Sequence, residues 1–276
     1  MTTDNLTDTV FLSEWLPSEC PVLYQNLERV FKEHAVDYRI LDNTNDIWCR
    51  DYMPIQIEAN RFVSYNYNPN YLQDKHKRRY ITDAKKVRNI DFLQQAEMVE
   101  MDLVLDGGNV VKCGDTVVMT DKVFVENKDK TPAEVERILR EVFQCEIVFL
   151  PWDKKEKCGH SDGIVHYIGN GKILLTNYGD LSPYFYRRFR KALENHFEVI
   201  PLKYNAKRFH ARSWAYINYM QVGNLVIVPQ LSYPEDEQAL AQISKVLPYC
   251  DVVGVPALEA VRKGGALNCI SWNIKV

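Results

Sequence analysis

The feature that most constrains this 276-residue chain is a repeat. Four segments, "DYMPIQIEANRFVSYNY", "DGGNVVKCGDTVVMTDKVF", "SDGIVHYIGNGKILLTNYGD" and "AYINYMQVGNLVIVPQLSY", begin at Asp51, Asp106, Ser161 and Ala215, in steps of 55, 55 and 54 residues. Nine residues into each comes a turn residue, Asn60, Asp115, Asn170 or Asn224, and three of these have a neighbouring glycine. An apolar, β-branched run follows every time. Strand, Asn/Asp/Gly turn, strand is the pattern of a β-hairpin.

Between the hairpins the periodicity turns helical, and each helical stretch is followed by another strand. "PVLYQNLERVFKEHA" precedes "VDYRIL", "SPYFYRRFRKALENH" precedes "FEVIPLK", and "PEDEQALAQISKVLP" precedes "CDVVGVP". In "TPAEVERILREVFQ", before "CEIVFLP", Thr131 is a cap, Pro132 suits the first helical position and Glu134 completes a capping box. Val135, Ile138, Leu139 and Val142 then form one apolar stripe. The same reasoning predicts a helix over 81–96, although its stripe is poor.

A fifth unit ends early. "GGALNCISWNIKV" supplies one hairpin strand without its partner, and the N-terminal "DTVFLSEWLPS" resembles "DTVVMTDKVF" but lacks a strand before it. Pairing the first strand with the last closes a ring and removes exposed sheet edges. The expectation is an α/β fold: a five-bladed α/β propeller with pseudo-fivefold symmetry, forming a single domain over 1–276.

Such symmetry brings equivalent positions to one axis. Asp51, Asp106, the His160–Asp162 stretch and Cys269 then converge on a central cavity, with Trp214, Ala215 and Tyr216 of the fourth unit as its wall. A thiol, an imidazole and three carboxylates would share that cavity. A cysteine nucleophile needs its thiolate and a nearby proton shuttle. Carboxylates beside it repel an anionic substrate and hinder thiolate formation; a cationic substrate reverses both effects. A planar guanidinium fits best, because its N–H forks pair with carboxylates and its charge lowers the thiol pKa on binding.

These motifs resemble those of the guanidino-group-modifying enzymes of the pentein fold, and most closely the agmatine deiminase / bacterial peptidyl-arginine deiminase branch. "WCRDYMP" (48–54) resembles Trp-x-Arg-Asp-x-Gly-Pro, "DGGN" (106–109) an acidic-Gly-Gly element, "HSD" (160–162) His-x-Asp, and "GGALNC" (264–269) the glycine-rich lead to the nucleophile. The sequence departs from the pattern at Asp106, where Glu is usual, at Met53 for glycine, and at Asn268 before the nucleophile. The resemblance implies hydrolytic deimination, with Cys269 attacking the guanidinium carbon to give a thiouronium intermediate. It implies that His160 serves as acid and then base, that Asp106 orients His160, that Asp51 and Asp162 clamp the guanidinium, and that Trp48 stacks on it. Ammonia and a ureido product would leave, with no metal or organic cofactor.

Competing readings stay open at this point. Cys269 could be a buried strand cysteine, His160 a core histidine, and Asp51, Asp106 and Asp162 turn or pairing residues. Amidino transfer on the same scaffold, a non-catalytic pentein binding protein and a papain-like hydrolase are the functional alternatives. The last is disfavoured because the nucleophile comes late with no helix after it. Arg208 and Arg212 are either holders of a substrate carboxylate or surface charges.

A net charge of −3 gives no sign of a nucleic-acid partner, and the basic run "DKHKRRY" (74–80) reads as a solvated loop. "DKKEK" (153–157) reads as another. No stretch approaches a membrane span, and "MTTDNLTDTV" has neither the basic nor the apolar region of a signal peptide. Seven scattered cysteines without a CxxC pair suit reduced thiols in a cytoplasmic protein and disfavour a zinc site, including one at "CGHSD". The expected partner is a small guanidino molecule; a homo-oligomer is compatible with the sequence but not specified by it.

Overall fold

A computed structural model describes residues 1–87, 90–205 and 212–276. The five expected units are five three-stranded sheets. In the sheet built on the first hairpin, Arg61–Asn66 is central, with Ile55–Glu58 antiparallel on one side and Glu97–Val104 parallel on the other. The next three sheets repeat this order. They are Val111–Lys112, Thr116–Thr120 and Glu146–Leu150; Val165–Gly169, Lys172–Leu175 and Glu198–Pro201; and Met220–Val222, Leu225–Gln230 and Asp251–Pro256. Each hairpin turns where the sequence places Asn, Asp or Gly, and Gly114, Asn170 and Gly223 there adopt φ of +72°, +50° and +55°. That left-handed backbone is costly for most L-residues.

The fifth sheet joins the two ends of the chain. Thr9–Ser13 is its central strand, parallel to Asp37–Leu41 and antiparallel to Ser271–Ile274, with Thr9 opposite Ile274 and Leu12 opposite Ser271. All five residues of Thr9–Ser13 are buried, so this is an interior strand. Trp272 fastens the seam: it is 3% exposed, its ring lies 5.0 Å from that of Phe11, and its Nε1 donates to Pro54 O at 2.8 Å.

A parallel pair needs a crossover, and helices supply it. Pro21–Glu33, Pro132–Phe143, Pro183–Leu193 and Glu235–Val246 precede the third strand of their units. Thr131 and Glu134 form the expected capping box, and Val135, Leu139 and Phe143 are buried, with Ile138 and Val142 partly so. Of the helix expected over 81–96, residues 88 and 89 lie outside the described residues, and the described ones form two short helices, Ala84–Val87 and Asp91–Gln95. Ile90, extended at φ −112° and ψ 129°, starts the second and breaks the run.

Each hairpin is entered through a short inner segment: the turn Cys49–Tyr52, or the 3₁₀ turns Gly107–Asn109, Ser161–Gly163 and Ser213–Ile217. Each touches the next in order. Asn268 N donates to Asn218 O at 3.1 Å and Arg50 N to Cys269 O at 3.2 Å, which completes the circuit. The equivalent positions of all five repeats thus meet on one axis.

Candidate active site

The inner circuit gathers the residues picked out from the repeat. Asp51 is 5% exposed, Asp106 wholly buried, Asp162 4% exposed and Cys269 7% exposed. His160 Nε2 lies 2.9 Å from Asp106 Oδ2, and its Nδ1 lies 3.6 Å from Asp51 Oδ1. Aspartate is a methylene shorter than the glutamate expected by resemblance, yet it reaches the imidazole. Gly108 explains the tight approach. A Cβ there would sit 2.6 Å from both Asp51 Oδ1 and His160 Nδ1, and its own N–H donates to Asp51 Oδ1 at 3.1 Å.

Cys269 is held by Asn218 and Asp162. Its Sγ lies 3.3 Å from Asn218 Oδ1 and 3.5 Å from Asp162 Oδ2. Asn218 Oδ1 also accepts the Cys269 N–H at 3.3 Å, and Asn268 Nδ2 donates to Asp162 Oδ2 at 2.8 Å. Burial, then the Asp162 and Asp51 charges, push the thiol well above its usual range. Without a cation in the site the sulfur therefore keeps its proton. Of the other two cysteines near the motifs, Cys49 is fully buried with its Sγ 3.4 Å from Tyr52 OH, and Cys158 is half-buried.

Charge is distributed unevenly among the acids. Burial is the largest influence on Asp51 and raises it to about 7, with Asp106 and Asp162 adding and His160 opposing. Burial lowers His160, but Asp51 and Asp106 outweigh it and bring the imidazole to about 9. Burial works against the charge of Asp106 too, yet the His160 hydrogen bond and Lys122 hold that carboxylate below its usual value. The resting site is thus a protonated thiol, an imidazolium on Asp106, and an Asp51 poised to ionise when a cation arrives.

The candidate stacking residue Trp48 is half-buried and packs against Gly265, where a Cβ would come within 2.3 Å of its Cζ3. This glycine therefore fixes the indole against the stretch leading to Cys269. Of the three residues offered as a wall, Trp214 borders Gly163 beside Asp162, while Ala215 is buried in the core. Tyr216 faces away: its hydroxyl donates to Asp236 Oδ1 at 2.6 Å and its ring lies 5.3 Å from that of Tyr204. Arg208 lies outside the described residues, and Arg212 caps the turn Ser213–Ile217.

Sequence reasoning passed over Asn218, Tyr71 and the pair Lys122–Glu126. Tyr71 packs its ring 6.2 Å from that of His160. Lys122 is fully buried, with Nζ 2.9 Å from both Asp106 Oδ2 and Glu126 Oε1. For Asn218 a signal was present: "AYIN" repeats the asparagine of "DGGN" at the same offset, and Asn109 is also buried and hydrogen-bonded, to Thr120.

Five three-stranded α/β units around a buried polar axis define a pentein. Within that class the chain belongs to the Porphyromonas-type peptidyl-arginine deiminase family, whose model matches residues 19–274. The agmatine deiminase of Pseudomonas aeruginosa (strain LESB58) is 26% identical over 226 residues, covering 68% of this chain and 61% of that protein. The chain thus aligns with about three-fifths of the length of that relative. The fold matches the C. jejuni agmatine deiminase with a TM-score of 0.76 at 20% identity, covering 98% of this chain and 94% of that one. A cysteine-to-serine form of the same enzyme, with substrate bound, matches with a TM-score of 0.75 at 19% identity, over 98% and 94% of the two chains.

Proposed function

We propose that the protein hydrolyses the C–N bond of a guanidino compound, releasing ammonia and a ureido product through a thiouronium on Cys269. One observation carries the reading: the inner circuit joins the Cys269–Asp162 contact to the Asp51–His160–Asp106 cluster, drawn from four different repeats, with Arg50 N, next to Asp51, donating to Cys269 O at 3.2 Å. Three acids and a protonated thiol suit a cation, and a flat guanidinium satisfies two carboxylates at once.

The steps follow from the groups present. Asp51 and Asp162 hold the guanidinium N–H groups, and Trp48 stacks on the cation. The bound positive charge offsets the two acids that keep the thiol protonated, so the thiol releases its proton to solvent, to be regained when the sulfur is later expelled, and the thiolate adds to the guanidinium carbon. His160, already cationic, gives its proton to the nitrogen that leaves as ammonia as the C–N bond breaks. The neutral imidazole then takes a proton from water, which attacks the thiouronium carbon and expels the sulfur. Asp106 stabilises the imidazolium in both half-reactions. No step calls for a metal or organic cofactor.

The names of the relatives support agmatine as one substrate to test, and the family's name supports peptidyl-arginine as another. A colorimetric ureido assay over agmatine, arginine, peptidyl-arginine and methylated arginines, with Cys269→Ser as control, tests the reading. Turnover of at least one guanidine, abolished in the variant, is the expected result. Inactivity on all of them, or activity undiminished in the variant, overturns it. Transfer of the amidino group to an added amine, in place of ammonia release with water uptake, would redirect it to amidino transfer.

A further inference from the structure

Lys122 is an unusual lysine. Its side chain is fully enclosed, and a buried ammonium loses so much hydration that it persists only when paired and hydrogen-bonded. It opens the short helix Lys122–Glu126, and its Nζ sits between Asp106 Oδ2 and Glu126 Oε1, 2.9 Å from each. The Tyr71 ring covers the ammonium at 4.9 Å. From behind, the stem is backed by Gly159, where a Cβ would come within 2.9 Å of Lys122 Cδ. Gly159 is the residue immediately before His160.

Two cations therefore share one oxygen. Asp106 Oδ2 receives both Lys122 Nζ and His160 Nε2, while Asp106 Oδ1 is buried without a hydrogen-bond partner. A carboxylate held only by the imidazole could rotate about its Cβ–Cγ bond and offer either oxygen. Pinned by the ammonium, it offers one. We propose that Lys122 is a positioning residue for the deimination proposed above: by fixing Asp106 Oδ2 it keeps the His160 Nε2–H on Asp106 and holds Nδ1 toward Asp51, where the guanidinium is to be clamped.

The charges around the cluster agree with this geometry. Asp106 and Glu126 contribute two negatives and Lys122 one positive, so the group is neutral when His160 carries its proton, the form required to protonate the leaving nitrogen. Lys122 and the His160 hydrogen bond outweigh the effect of burial on Asp106 and keep it ionised. Without Lys122, Asp106 and Glu126 would be buried like charges facing each other, and one would take up a proton. His160 would then lose a fixed acceptor. Asp51, from the turn Cys49–Tyr52, would remain beside its Nδ1 and could not replace the contact at Nε2.

The test uses the full chain and two variants. Lys122→Met removes the ammonium. Lys122→Met/Glu126→Gln removes it together with its counter-charge, so that no surplus buried carboxylate remains to block folding. The first readout needs no substrate: the ring N–H proton resonance of His160, assigned by its loss in His160→Asn. In the wild type it is expected as a slowly exchanging, downfield line. In each variant that folds, it is expected to broaden away or to divide between the two ring tautomers. The second readout is turnover on whichever guanidine the wild type accepts. There kcat is expected to fall by about tenfold or more with KM within about threefold, because Asp51 and Asp162 are untouched. A purely structural lysine would lower the melting temperature while leaving the resonance and the kcat of the folded protein unchanged, and that result in the double variant overturns the proposal. A wild type that turns over no guanidine refutes the deiminase reading, while the resonance still decides whether Lys122 positions His160.

Discussion

Asp51 Oδ1 lies 3.6 Å from His160 Nδ1, and the same oxygen accepts the Gly108 N–H at 3.1 Å. Burial and the neighbouring acids raise Asp51 to about 7 against the pull of His160, and Asp51 and Asp106 overcome burial to raise His160 to about 9. A guanidinium needs Asp51 ionised, so kcat/KM should rise with pH through about 7. The leaving nitrogen needs the proton of His160, so the rate should fall above about 9. A kcat/KM profile measured from acid to alkaline pH checks both limbs. A flat response across the lower limb would remove Asp51 from the clamp.

The thiol is the next point of attack. Burial, Asp162 and Asp51 hold Cys269 in its protonated form, and a bound cation relieves the effect of the two acids. A haloacetamidine, which carries that cation, should therefore label Cys269 ahead of the other six cysteines, whereas a neutral alkylator of similar size should favour the half-exposed Cys145, Cys158 and Cys250. Intact mass followed by peptide mapping reads the site. Cys269→Ser should lower turnover by at least about a thousandfold and abolish the preference.

Asn218 Oδ1 receives both the N–H and the S–H of Cys269, at 3.3 Å each. Asn218→Ala leaves that buried N–H without its partner, so unfolding should become easier by about 1–3 kcal/mol. Asn218→Asp keeps the acceptor but adds a negative charge beside the sulfur. Its labelling rate should drop at neutral pH and recover as pH rises, because thiolate formation is delayed. Labelling as fast as the wild type at neutral pH would deny Asn218 any influence on the thiol.

Gly108 has no room for a methyl group, since a Cβ would sit 2.6 Å from Asp51 Oδ1 and 2.6 Å from His160 Nδ1. Gly108→Ala should displace both groups and cost about a hundredfold in kcat/KM, with only a modest fall in melting temperature. Gly179→Ala, whose Cβ would meet Tyr186 no closer than 3.5 Å, is the comparison and should stay near wild-type activity. Equal activity in the two variants would show that the Asp51–His160 spacing tolerates disturbance.

Trp272 is 3% exposed at the seam between the first and last strands, and its ring stacks beside Phe92 and packs tilted against Phe11. Trp272→Ala should cost about 3–5 kcal/mol in a urea titration, as expected for emptying an aromatic site in a packed core. Because Cys269 lies three residues away, reactivity toward the haloacetamidine should be lost at lower urea than the helical circular dichroism signal. Coincident loss of the two signals would mean that the seam does not open separately.

Most of the fold was legible because a hairpin turn has local requirements. Asn60, Asp115, Asn170 and Asn224 recur where the backbone must reverse, and the repeat interval then dictated which residues meet on the axis. The placement of Cys269, His160, Asp106, Asp51 and Asp162 followed from that interval. What stayed hidden depended on contacts between units. Lys122 follows "VMTD" in a stretch that offers no reason to bury a lysine, and its burial has meaning only once Asp106 and Glu126 are known to face it. Tyr216 was misjudged for a related reason: the interval placed its backbone on the axis, but its side chain pairs outward with Asp236. The helix over 81–96 was overextended because periodicity in a poor stripe could not register the extended backbone at Ile90.

The seam between Thr9–Ser13 and Ser271–Ile274 also sets a schedule for synthesis. Thr9–Ser13 can pair with Asp37–Leu41 soon after both are made, yet its other edge must wait until Ser271–Ile274 has been synthesised. The sulfur that the circuit surrounds arrives just ahead of that strand. A nascent chain stalled before that point would lack the Asn268 contact to Asp162 as well as the sulfur and, on the mechanism proposed above, would be chemically silent.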